Sequence, residues 1–101
     1  ADTKEAKALA HLSPSMIAVE PPELIGGDIS VTTADPSIVR DSVNAVSQID
    51  DNVRVLCGAG IKNGQDVLAA LDLGASGVLL ASGVTKSPDI QSVLSELVSY
   101  I

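Results

Sequence analysis

Three short apolar runs alternate with segments of helical spacing along the whole chain. That alternation constrains the fold more than any other feature. A strand, a helix and a second strand join through a right-handed crossover, so the strands lie parallel and the helices cover the sheet. The runs are residues 15–20, 53–57 and 77–82, and the predicted order is α-β-α-β-α-β-α. Tyr100 is the only aromatic among 101 residues, so the core must be built from Val, Leu, Ile and Ala. Branched aliphatic runs beside Ala- and Leu-rich helices suit a parallel sheet.

The helix signals are local. Asp2 with Glu5 predicts a capped helix over 2–12, with Ala6, Leu9 and Ala10 on one face and Ser13-Pro14 as its stop. Asp35-Pro36 predicts a helix start, with Val39, Val43 and Val46 on the apolar face and Ile38 and Ile49 beside them. Asn63 caps a predicted helix over 64–73 faced by Val67, Leu68 and Leu71, and Gly74 stops it. Ser87-Pro88-Asp89 opens a last helix lined by Ile90, Leu94, Leu97 and Ile101. Residues 21–34 read as one long loop, a length that marks lids and binding loops.

Composition excludes several functions. With 46% hydrophobic residues the chain is not intrinsically disordered. No apolar run is long enough to span a bilayer, and no secretory signal is visible. Thirteen acidic residues against six basic ones give a net charge of −7, which disfavours nucleic acid and anionic membranes as partners. Cys57 is the only cysteine, so an intrachain disulfide and a thiolate zinc cluster are excluded. A reducing, cytoplasmic setting fits best.

Ligands of parallel α/β folds bind at the carboxyl ends of the strands. Here the first predicted strand ends in Glu20, the second runs into Gly58-Ala59-Gly60, and the third ends in Ala81-Ser82-Gly83. Small residues at two neighbouring strand ends let backbone amides approach an anion, so a phosphate is the expected ligand. The bland alternative is that these glycines only make tight turns. A carboxylate closing an apolar strand is costly unless partnered, which makes Glu20 a candidate general base. Pro21-Pro22 stiffens the next segment and Gly26-Gly27 frees it, the pattern of a hinged lid. Glu23 is a second candidate acid, but a mobile loop positions a base poorly. His11 reads as a surface or packing residue, Cys57 as core, and Lys86 as solvated although near the third strand's loop.

The stretch from Ile17 to Gly26, Ile-Ala-Val-Glu-Pro-Pro-Glu-Leu-Ile-Gly, resembles the catalytic glutamate and lid of triosephosphate isomerase in its short archaeal form. Residues 55–67 resemble that family's seventh strand, phosphate loop and helix, and residues 73–84 its eighth strand and phosphate loop. The family is itself the standing example of a glutamate base beneath a closing loop, so those roles come with the resemblance. It implies that Glu20 shuttles the proton and that Ile25 and Gly26 close on the phosphate. Gly60 would contact the phosphate from the seventh loop, and Ala81 and Ser82 from the eighth. Where members of the family often carry Gly-Thr-Gly in the lid, this chain has Gly26-Gly27-Asp28.

The resemblance also implies a fold and a place in it. Residues 1–101 would be the C-terminal portion of one TIM (β/α)8 barrel, supplying its last three strands and their helices. The family's catalytic lysine and histidine lie on earlier strands and match nothing here. The implied activity is an aldose–ketose isomerisation of dihydroxyacetone phosphate and glyceraldehyde 3-phosphate, serving glycolysis and gluconeogenesis, without metal or organic cofactor. The chain alone would be inactive until joined by the N-terminal part, in the same or another chain. The completed enzyme would be a homo-oligomer. Two alternatives are another phosphate-binding (β/α)8 enzyme, against which the Glu20–Gly26 stretch argues, and a non-catalytic half-barrel that binds phosphorylated metabolites.

Overall fold

The computed structural model describes residues 2–101. Its parallel sheet has the order β1-β2-β3, with β1 at Met16–Val19, β2 at Arg54–Cys57 and β3 at Gly77–Val78. Met16 stands opposite Arg54 and Val19 opposite Cys57, while Cys57 also stands opposite Val78. The third strand is shorter than the predicted 77–82. One further ladder bond runs from the Leu79 amide to the Cys57 carbonyl (2.9 Å), and the chain then turns away.

Helix α1 is Thr3–Ala10, with the Asp2 carboxylate accepting the Glu5 amide at 2.7 Å. Only Ala6 and Ala10 of its predicted face are buried, and Leu9 is exposed. Helix α2 is a single turn, Val31–Ala34, and α3 is Pro36–Ile49 with Asp35 as its cap. Helix α4 is Gly64–Asp72, where Asn63 caps and Gly74 adopts φ +101. Its buried face carries Val67 and Ala70, and Leu68 points outward. Helix α5 is Ser82–Thr85 and α6 is Ile90–Leu97, capped by Asp89. Of the apolar residues expected to line α6, Leu97 alone is buried; Ile90, Leu94 and Ile101 are exposed.

The core lies on one face of the sheet. Ile17, Val19 and Val55 pack with Ala6, Ala10 and Val46 from α1 and α3. Cys57 packs with Val31, Val39, Ala70 and Ala75. A third cluster joins Ile61, Val67 and Leu97 beneath α6. The alternation of the strands sends Met16 and Leu79 to the other side, where both are exposed.

Candidate active site

A cavity of about 390 Å³ opens at the carboxyl ends of the three strands. Its lining includes Glu20, Ile25, Gly26, Gly60, Ala81 and Ser82, which therefore meet in one place, whereas the second candidate acid, Glu23, is not among them. The volume falls in the roughly 300–1,000 Å³ range of small-molecule sites.

Glu20 is the first residue after β1 and is half-buried. Its carboxylate lies beside Gly58, where an added Cβ would sit 2.5 Å from Glu20 Oε2 and 2.5 Å from the Leu79 carbonyl. The role of Gly58 therefore differs from the sequence-based expectation of ligand access: it leaves room for the carboxylate to cross the end of β2. Among the described residues no cation pairs with Glu20.

The lid region is more structured than a long loop. Pro22–Leu24 form a 3-10 turn closed by Leu24 N–H donating to the Pro21 carbonyl (3.0 Å), and Leu24 packs on the core. Gly26 takes φ +75 with open space around it, a conformation that disfavours any other residue. Ser30 then caps α2, its Oγ accepting the Thr32 amide at 3.1 Å. The Val31 amide donates to the Ala59 carbonyl (2.9 Å), which ties the end of this segment to the loop after β2.

The two glycine-bearing loops are packed against each other and against the lid. Gly60 has φ +73, and its missing side chain makes room for the Ile29 carbonyl. At Gly83 a Cβ would lie 2.6 Å from the Ile61 carbonyl. The Gly58–Ala59 peptide is cis. The Lys62 amide donates to Asp66 Oδ2 (2.9 Å) and the Asp66 amide to Asn63 Oδ1 (2.9 Å), which locks the 58–63 loop onto α4. Helix α5 starts directly at the cavity, with the Thr85 amide bonded to the Ala81 carbonyl (2.8 Å). The first amides of such a turn, at Ser82 and Gly83, lack acceptors within the helix.

The cation brought to this cavity is Lys62 rather than Lys86, which caps the far end of α5. Lys62 Nζ donates to Asp28 Oδ1 at 2.5 Å. That hydrogen bond, followed by the attraction of the ammonium charge, holds the Asp28 carboxyl below its ordinary range. Sequence reasoning passed over Lys62, although it directly follows the Gly60-Ile61 pair. Glu23 is exposed and lies outside this cavity, lining a shallow hollow with Asp2 and Glu5 on the outer side of Glu20. His11 sits at the far end of α1 and takes no part. Cys57 is fully buried, and desolvation pushes its thiol up to about 11.

A parallel sheet with its cavity at the carboxyl ends, closed by small-residue loops after two neighbouring strands, has the form of a segment of a (β/α)8-barrel protein. Comparison with known proteins gives the particular family. The model for the family described as triosephosphate isomerase matches residues 2–98, and the chain belongs to that family. It is 58% identical over 95 residues to the triosephosphate isomerase of Methanocaldococcus jannaschii, an overlap of 94% of this chain and 43% of that protein. It is 54% identical over 94 residues to that of Methanosarcina mazei, covering 93% and 42% respectively. The chain thus spans less than half the length of these relatives.

Proposed function

We propose that this chain is the C-terminal portion of a single TIM-barrel domain and carries the base, lid and phosphate cradle of a triosephosphate isomerase. The observation that carries this reading is the convergence of Glu20, the Gly26 segment and the two small-residue loops on one cavity. With a triose phosphate bound, the Gly60, Ala81 and Ser82 backbone holds the phosphate dianion, and Ile25 and Gly26 fold over it. The substrate's carbonyl end then lies toward Glu20. The carboxylate takes the proton from the carbon beside the carbonyl, giving an enediol(ate), and returns it to the neighbouring carbon. Dihydroxyacetone phosphate and glyceraldehyde 3-phosphate interconvert.

The groups that polarise the carbonyl come from the remaining barrel strands, supplied by the same or another chain. The assembled enzyme is a homo-oligomer working in the cytoplasm. No helix among the described residues is long and apolar enough to cross a membrane, and the one thiol is buried.

The test is Glu20→Gln in the assembled enzyme. General-base catalysis accounts for roughly 10²–10⁴-fold in rate, so kcat falls by at least that range while phosphate affinity persists. Turnover close to that of the parent would overturn the assignment. Phosphate binding without any turnover of triose phosphate by the assembled protein would favour the metabolite-binding alternative for these loops.

A further inference from the structure

The segment that leads out of the lid is held against the 58–62 loop at three points. The Val31 amide donates to the Ala59 carbonyl, the Ile29 carbonyl occupies the space left by Gly60, and Asp28 pairs with Lys62. The first two are main-chain contacts that fix the segment from Ile29 onward. The third joins side chains and lies nearest the tip, directly after Gly26 and Gly27. Upstream, Pro21 is buried and Leu24 is packed on the core, so the backbone is anchored again before Ile25. Between these anchors lies Ile25–Gly27, whose Ile25 and Gly27 amides bond only within the turn, to the Pro22 and Leu24 carbonyls, and the ion pair stands at its downstream boundary.

Resting on the isomerase reading above, we propose that Asp28 and Lys62 are positioning residues: their ion pair is a latch that holds the lid tip down over the anion cavity. The Asp28 side chain is 96% exposed and is not part of the cavity lining, whereas its partner Lys62 is, so its effect on substrate passes through that lysine. Lys62 is the cation of the lining, and the latch holds its ammonium on the Asp28 carboxylate. The main-chain contacts have already brought the two loops together. Closing the pair thus costs less ordering than an isolated surface pair does.

The competing role for Lys62 is simple attraction of the phosphate, and the two roles differ in sign at Asp28. Under the latch, Asp28→Asn loosens the lid and weakens binding. Under simple attraction, the same change frees the ammonium and strengthens it. We expect Asp28→Asn, and separately Lys62→Gln, to raise KM for glyceraldehyde 3-phosphate roughly two- to fivefold, the scale of an exposed ion pair. The rise in KM should exceed any fall in kcat. Asp28→Glu, which keeps the negative charge of the pair, should restore KM to within about twofold of the parent.

An unchanged or lowered KM in Asp28→Asn, or an Asp28→Glu variant no better than Asp28→Asn, overturns the latch. Titration of inorganic phosphate into the same variants reads the latch without using Glu20, with the same rise in Kd expected. The latch can thus fail while Glu20→Gln still abolishes turnover, and the isomerase reading can fail while the latch holds.

Discussion

Cys57 stands at the end of β2, one residue from the loop that shapes the cavity, and its surroundings keep it out of chemistry. It is 0% exposed, and desolvation raises its thiol from 9.0 to about 11. Below pH 9 folded and unfolded chains both keep the proton, so the thiol adds no pH dependence. Between those values the unfolded thiol ionises and the folded one does not. Stability therefore falls as pH rises, by roughly 2–3 kcal/mol across the window. Denaturant melts at pH 8 and above pH 10 should show the loss, and Cys57→Ala should remove it. Alkylation by iodoacetamide at pH 8 should be slow until denaturant is added; labelling at the rate of a free thiol would contradict the burial. Gly58 and Gly60 carry a different lesson. Both looked like room for a ligand. In the structure Gly58 makes room for Glu20, and Gly60 makes room for the Ile29 carbonyl. Gly58→Ala should then displace the carboxylate and lower kcat more than it weakens phosphate binding. Gly60→Val should act by distorting the lid's anchor, not by plugging the cavity. A glycine in a sequence reports that a side chain is missing, and only the folded neighbours show what fills the space.

At the scale of elements, legibility followed the strength of the local signal. Helix α3 was readable because Asp35, Pro36 and the Val39–Val46 spacing all agree. Asp35 Oδ1 accepts from the Ile38 amide (3.3 Å) and the Ser37 hydroxyl (2.9 Å). Asp35→Ala should cost about 1 kcal/mol of stability, read as a lower denaturation midpoint with an unchanged slope. Helices α2 and α5 were not readable. Each is one turn long, too short for periodicity, and the Val-Thr-Thr of α2 favours extended backbone. Tertiary ties settle it: Ser30 caps α2 and the Ala59 carbonyl fixes its first amide. The apolar run 77–82 promised a long third strand. After Val78 the run serves two purposes, as Leu79 keeps one ladder bond and Ala81 opens the turn of α5. The candidate site was legible because its residues follow predicted strand ends, where chain order alone sets their neighbourhood. Lys62 was not, because its importance rests on a contact with Asp28 across 34 positions of sequence.

For the whole molecule the decisive feature is what the sheet leaves uncovered. Among the described residues β1 and β3 each pair on one side only. Val19 and Val55 are buried under α1 and α3, and the opposite face carries the exposure, with Leu79 at 42%. Apolar grooves flank both free edges. One joins Leu9, Leu12 and Met16 beside β1. The other joins Val78, Leu80, Leu94 and Ile101 beside β3. Leu12 and Ile101 are 78% and 77% exposed. Unpaired strand edges bordered by apolar side chains recruit other chains, and net stability is a small difference between large opposing terms. This chain by itself should therefore self-associate, bind a dye such as ANS strongly and show no isomerase turnover. Mixing it with the barrel strands that its longer relatives contain should lower dye binding, yield a defined assembly and restore activity. Size-exclusion chromatography with a coupled isomerase assay decides the matter. A monodisperse monomer that turns over substrate alone would show that the uncovered face is tolerated and that Glu20 needs no partner from beyond these residues.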